Sequence, residues 1–209
     1  MNPFTVVSLF EEAIAEYTGS PYAVAVDSCT NAIFLCCKYL GVKKVTIPKC
    51  TYLSVPQSII HAGGKVCFED IEWKGIYQLY PYPIYDTAKR LTSGMYIKHS
   101  FMCLSFHIKK HLPIGKGGMI LISDPDAVEW FKKARYEGRS EVPYQLDDID
   151  MLGWNMYMTP EQAARGLYLL SLLPKHNEDL KETYRDLTEF SIFKNKRNDY
   201  WNGSTASLA

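Results

Sequence analysis

The sequence predicts an α/β fold: a mostly parallel sheet covered by helices on both faces. Three observations support this. Short, apolar, β-prone runs alternate with stretches of helical spacing from Tyr22 to Ala134. The strand candidates are near-continuous apolar runs, the pattern of strands buried on both faces. Finally, 209 residues with 47% hydrophobic and 22% charged side chains suit one globular domain, or one plus a short appendage.

Residues 8–18 place apolar groups at Leu9, Phe10, Ala13, Ile14 and Tyr17, a helical spacing closed by Gly19. Tyr22 to Val26 is a buried strand. Asp27-Ser28-Cys29-Thr30 offers capping side chains for a helix from Ala32 to Leu40, stopped by Gly41. Lys44–Ile47 is a strand, Ser54–His61 a short helix and Gly63-Gly64 a turn. Further strands are expected at Lys65–Phe68, Pro83–Tyr85, Ser100–Phe106 and Gly118–Ile122, the last two joined by a turn around Pro113–Gly117. Asp124-Pro125 opens a helix through Trp130 and Ala134. Residues 139–152 are polar and turn-rich. Thr159-Pro160-Glu161-Gln162 starts a helix whose apolar run, Leu167–Leu173, stops at Pro174. A more charged helix is expected from about Asn177 to Glu189, then a polar tail from Lys194 to Ala209. The chain thus divides into a domain over 1–173 and a residual helix and tail over 174–209.

Charge and cysteine usage exclude several classes. With 23 basic and 23 acidic residues the formal net charge is zero, which removes the footprint of a duplex-binding protein and leaves self-association open. No apolar run approaches the roughly 18–20 residues of a membrane span. The N-terminus lacks the basic region of a signal peptide. Six cysteines without C-x-x-C spacing point to reduced thiols and a cytoplasmic protein.

Open α/β sheets bind ligands beyond the carboxyl ends of their strands. The polar groups expected there are Ser28-Cys29-Thr30, Thr51-Tyr52, Asp86, and Ser105 through Lys110. Separately, each has a plainer reading. Asp27–Thr30 can be a helix cap, Tyr52 a half-buried aromatic, Asp86 another cap, and Lys109 and Lys110 solvated charges. Cys103, His107 and His111 recur every four residues but fall in a β-like stretch, so no metal site is expected. Gly115-Lys116-Gly117-Gly118 lacks the P-loop pattern. Together the groups are the inventory for pyridoxal 5′-phosphate (PLP). Hydroxyls at a helix N-terminus suit a phosphate, an aromatic ring can stack, an acid can pair with a pyridine nitrogen, and a lysine can form an imine.

Several motifs carry a resemblance. Phe10–Gly19 is similar to the opening helix of the DegT/DnrJ/EryC1/StrS sugar aminotransferases, PLP enzymes of fold type I. Ser28-Cys29-Thr30-Asn31-Ala32 resembles the family's S-G-T-x-A phosphate loop, and Pro48–Tyr52 its P-x-x-T-aromatic segment. Tyr85-Asp86-Thr87-Ala88 resembles E-D-x-A, and Ser105–Lys110 resembles S-F-x-x-x-K followed by a glycine pair. Gly153–Met158 with Gln162-Ala163-Ala164 is similar to G-x-N-x-R-M…Q-A-A.

The resemblance implies a reduced fold type I large domain and a set of roles. Lys110 would form the aldimine and shuttle protons, and Asp86 would pair with the pyridine nitrogen and stay ionised. Ser28, Cys29, Thr30 and Ser105 would hold the phosphate, and Tyr52 would stack on the ring. Asn155 would reach the phosphate of a neighbouring subunit, implying a homodimer with shared sites. The implied reaction moves an amino group, from glutamate, to a keto-sugar nucleotide or a related small carbonyl compound. Other PLP chemistry, or an inactive dimeric scaffold, stays open as an alternative. The departures are Cys29 where the family prefers glycine, Tyr157 where it has arginine, and Lys89 where it has glutamine or histidine near the cofactor's ring oxygen. Lys89 could favour the cofactor's phenolate or point to solvent, and solvent is the expectation. The family's extra strand–helix unit between Asp70 and Asp86 and its small C-terminal domain have no counterpart here.

Overall fold

A computed structural model describes residues 4–181 and 183–194; the expected tail beyond Lys194 lies outside them. Helix α1 (Thr5–Thr18) ends on Gly19 in the left-handed conformation. Strand β1 (Tyr22–Val26) leads into α2 (Cys29–Tyr39), capped by the Ser28 hydroxyl. Then follow β2 (Lys44–Pro48), α3 (Ser54–His61), β3 (Lys65–Glu69), β4 (Tyr77–Gln78) and β5 (Ile84–Asp86). Strands β6 (Phe101–Ser105) and β7 (Gly118–Ile122) precede α4 (Pro125–Ala134), which the Asp124 side chain caps. Helix α5 (Pro160–Leu172) opens with the expected capping box, Thr159 and Gln162 satisfying each other's end groups.

The main sheet has the order β1-β7-β6-β5-β4, with β2 and β3 forming a separate parallel pair. Reciprocal hydrogen bonds between Thr46 and Tyr80, 2.8 and 3.1 Å, tie the two together. Successive side chains of each strand enter different cores. Ala23, Ala25, Met102, Leu104, Met119 and Leu121 pack towards α1 and α5, whereas Val24, Val26, Cys103, Ile120 and Ile122 join the core containing residues of α2, α3 and α4. Both faces are covered, as the continuous apolar runs predict.

The expectation of a mostly parallel sheet is corrected. Only β5–β6 and β2–β3 run parallel, while β1–β7, β6–β7 and β4–β5 are antiparallel. The short link between β4 and β5 returns the chain in the opposite direction, as an antiparallel pair requires. Strand β4 itself carried too short an apolar signal to be expected.

The helix expected over 177–189 is also absent. Among the described residues, 174–181 and 183–186 form an irregular strap, followed by a 3₁₀ turn (Leu187–Glu189) and a short α6 (Ser191–Lys194). The reason lies in where the strap's polar groups are used. Leu180 N–H donates to the Lys89 carbonyl and Leu187 N–H to the Lys49 carbonyl, both at 2.9 Å, instead of to carbonyls one turn back. Asn177 Nδ2 donates to Leu91, Pro174 and Tyr17 oxygens. Asp179 takes two hydrogen bonds from Arg90, 2.8 and 2.7 Å, which hold its carboxyl below the ordinary aspartate range. The strap passes so close to the main chain at Gly75 that an added Cβ would sit 2.2 Å from the Asp179 carboxyl carbon.

Candidate active site

The N-terminus of α2 forms one wall. Ser28 Oγ accepts from Asn31 N at 3.2 Å, and Thr30 Oγ1 donates to Ser54 Oγ at 2.9 Å. The first turn of a helix presents N–H groups without intrahelical partners, and with nearby hydroxyls it suits an anion. Gly118, the first residue of β7, lies against this turn: an added Cβ would fall 2.4 Å from the Ser28 carbonyl carbon. Any side chain there would displace the loop. The Cys29 Sγ turns inward and donates to the Cys103 carbonyl at 3.3 Å. Burial pushes the Cys29 thiol far above its ordinary range, so it stays protonated.

The end of β5 supplies the acid. Asp86 is 5% exposed, accepting from Tyr77 OH at 2.8 Å and from Ala88 N at 2.9 Å. The Tyr77 hydroxyl in turn meets Thr51 Oγ1 at 2.6 Å, which fixes the chain of donors behind the carboxylate. Burial raises the Asp86 pKa above its ordinary value, against the lowering influence of Ala88 N–H, Tyr77, Lys110 and Lys89. A raised folded-state pKa means stability that is present at acidic pH and lost as pH rises through that value. Asp86→Asn should therefore equal or exceed the wild type in apo-protein melting temperature at neutral pH, with the difference vanishing below the usual aspartate range. If Asp86 pairs with a pyridine nitrogen as the family resemblance implies, the same variant should weaken PLP binding at least about tenfold, because a neutral amide would not compensate a pyridinium. Melting curves from pH 3 to 8 beside PLP titrations measure both effects.

The third side follows β6. Ser105 is the last residue of that strand, and its Oγ accepts from His107 N at 3.4 Å. A tight turn, with Lys110 N donating to the His107 carbonyl at 2.8 Å, then sets Lys110 half-buried at the cavity while Lys109 is exposed.

Ser28, Cys29, Thr30, Tyr52, Asp86, Lys89, Ser105 and Lys110 all line one cavity of about 340 Å³. That lies within the roughly 300–1,000 Å³ of small-molecule sites. Asn155 does not line it; it is exposed, and its Nδ2 donates to Glu137 Oε1 at 3.0 Å. The expectation that Lys89 points to solvent is corrected. Lys89 is 8% exposed and its Nζ lies 4.7 Å from the Trp73 ring centroid and 4.8 Å from that of Tyr184. The sequence reading missed these two aromatic walls. Trp73 had a usable signal, a lone tryptophan in the turn-rich Glu72-Trp73-Lys74-Gly75. Tyr184 had none, because its place depends on the strap.

The donor set fits PLP. An anion-accepting helix start, a serine hydroxyl, a buried carboxylate braced by a tyrosine, a ring at the mouth and a lysine converge on one space. The mouth ring, Tyr52, is 59% exposed.

Fold and site together define a PLP-transferase type of domain. The profile of the DegT/DnrJ/EryC1/StrS aminotransferase family matches residues 5–84 and 94–195, and the chain belongs to that family. It is 24% identical over 237 residues to the spore coat polysaccharide biosynthesis protein SpsC of Bacillus subtilis, covering 86% of this chain and 60% of that protein. A second relative, the UDP-4-amino-4,6-dideoxy-N-acetyl-beta-L-altrosamine transaminase of Campylobacter jejuni, is also 24% identical, with 90% and 62% covered. The chain thus spans about three-fifths of the length of these relatives. Among solved structures, AtS13 from Actinomadura melliaura superposes with a TM-score of 0.68 at 19% identity, over 79% of this chain and 59% of that one. PseC of Helicobacter pylori, an aminotransferase involved in the biosynthesis of pseudoaminic acid, gives 0.65 at 16%, over 80% and 57%. The shared fold is that of fold type I aminotransferases.

Proposed function

We propose that this chain is a PLP-dependent aminotransferase that moves an amino group from glutamate to a keto-sugar nucleotide or a similar small carbonyl compound. The observation that carries the reading is the convergence of Lys110, Asp86 and the α2 N-terminus on one cavity. When bound, PLP supplies an aldehyde for the amino group and a ring that draws electrons from the substrate carbon. The chain's own residues do the rest. The Ser28–Thr30 turn and the Ser105 hydroxyl bind the phosphate, and Tyr52 covers the ring. Asp86 holds the pyridine proton through its carboxylate, kept in line by Tyr77. Lys110 Nζ is the attachment point and carries the proton taken from substrate.

The sugar-nucleotide assignment draws on the relatives, a UDP-sugar transaminase and a GDP-perosamine synthase from Caulobacter vibrioides among them. Among the described residues, Lys89, Lys109, Lys110 and Lys116 line the cavity with Asp86, and Lys116 is paired with Asp27 at 3.0 Å; the remaining positive charge suits such anionic ligands. Asn155 is exposed outside its own cavity, with its amide held by Glu137, and a homodimer would bring it to the site of a second copy. None of the six cysteines is in a disulfide, and no described helix is long and apolar enough to cross a membrane.

Incubation with PLP, reduction with borohydride and peptide mass spectrometry tests the attachment. The label is expected on Lys110. Addition of glutamate to unreduced protein should then release 2-oxoglutarate and convert the cofactor to its pyridoxamine form. A label on another residue, or none, overturns the site; a labelled protein inert to glutamate overturns the donor.

A further inference from the structure

We propose that Trp73 and Tyr184 are positioning residues: they hold the Lys89 ammonium inside the cavity beside Asp86, so that the C-terminal strap fixes the charge presented to the bound cofactor. The inference rests on the PLP reading above and adds a role to residues outside the family motifs.

A lysine only 8% exposed is rare, because its ammonium loses water. Here two ring faces stand against it, at 4.7 and 4.8 Å, and ring faces attract cations more strongly where water is excluded. Both rings are themselves tied down. Trp73 donates its Nε1–H to the Cys50 carbonyl at 2.9 Å and meets Tyr77 edge-on at 4.7 Å, next to the tyrosine that braces Asp86. Tyr184 lies nearly parallel to Trp73, at 12° and 6.1 Å, and also contacts Tyr52 at 6.2 Å.

The strap on which Tyr184 rides is anchored on both sides. Leu180 N–H binds the carbonyl of Lys89 itself. Leu187 N–H binds that of Lys49, whose ammonium lies 3.5 Å from Asp186. Laying down the strap and placing the charge are therefore one structural event. Among the described residues, the titratable groups facing this space are Asp86 from β5, with Tyr77 from β4 behind it, Cys29 from α2, Tyr52, Tyr184, and His107, Lys109, Lys110 and Lys116 from the β6–β7 connection. Among these described groups Asp86 is the one carboxylate, so the position of Lys89 weighs heavily on the local balance.

The test uses the full chain loaded with PLP and follows the pH midpoint of its visible absorbance. Removing a nearby positive charge makes a proton easier to hold, so Lys89→Met should raise the midpoint by about one pH unit. Tyr184→Ala should raise it in the same direction by releasing the ammonium, and Tyr184→Phe, which keeps the ring face, should restore the wild-type value. The double variant should move no further than Lys89→Met alone, since both changes act through one group. Should Tyr184→Ala fail to fold, Tyr184→Leu keeps the bulk, lacks the ring and must show the same shift. Midpoints at the wild-type value in both Tyr184→Ala and Tyr184→Leu, or shifts that add to that of Lys89→Met, overturn the proposal. A wild type that never takes a borohydride label on Lys110 overturns the PLP reading instead, and the two failures are thereby told apart.

Discussion

Lys110→Ala should give a folded protein that takes no covalent PLP label and whose amino transfer falls by at least about 10⁴-fold. The size follows from two jobs resting on one nitrogen. Proton transfer by a positioned side chain contributes roughly 10²–10⁴-fold, and covalent attachment of the cofactor adds to it. Folding should be nearly unaffected, with a stability change within about 0.5 kcal/mol, because the side chain is only half-buried at a cavity edge. Lys109→Ala is the matched control. That side chain is exposed one residue earlier in the same turn, so its loss should leave the label at position 110. Peptide mapping after borohydride reduction, with thermal melts of each variant, reads both outcomes. Full labelling of Lys110→Ala at Lys109 would move the chemistry one residue back and reverse the assignment.

Sequence reading worked where one local pattern had one physical solution. Ser28, Asp124 and Thr159 each satisfy helix N–H groups as their positions before apolar-periodic runs predict. Asp86 and Ser105 fall at strand ends, so the topology of an α/β sheet carries them to the same edge. It worked less well where two structures share one pattern. A strand buried on both faces reads the same whichever way it runs, which is why the directions of β7 and β4 were not legible. Asn177–Glu189 has ordinary helix composition, yet its polar groups find partners in distant loops and the helix does not form. Lys89 shows the strongest override. The usual place for lysine is water, whereas Trp73 and Tyr184, arriving from remote parts of the chain, set ring faces against its buried ammonium.

Glu11 was equally hidden, because the helical spacing of α1 turns Leu9 inward, whereas Leu9 is 50% exposed and Glu11 only 4%. The reason is the free edge of β1, which lies at the border of the sheet. Ala25 N–H donates to Glu11 Oε1 at 2.8 Å, and Arg135 Nη1 donates to the Ala25 carbonyl at 2.6 Å and to Glu11 Oε1. A buried ion pair thereby supplies hydrogen-bond partners on the side of β1 that no described strand pairs. Glu11→Ala removes the nearer carboxylate of the Arg135 guanidinium, itself 4% exposed, leaving it Glu141 at 3.5 Å, and takes from the Ala25 N–H its Glu11 acceptor. Removing one partner of such a pair costs about 3–5 kcal/mol, which for a chain of this size lowers the melting temperature by roughly 10 °C. Lys132, 3.8 Å from Glu11 Oε2, would lose its counter-charge as well, but its greater exposure makes that a small contribution. Glu11→Met combined with Arg135→Leu removes both charges and should recover part of the loss, since what remains unmade is the pair of hydrogen bonds to Ala25. Neither side chain lines the PLP cavity, so the folded fraction of every variant should still accept the label on Lys110. A melting temperature within 2 °C of wild type for Glu11→Ala would mean that water or another donor reaches the β1 edge, and the pair would lose its structural role.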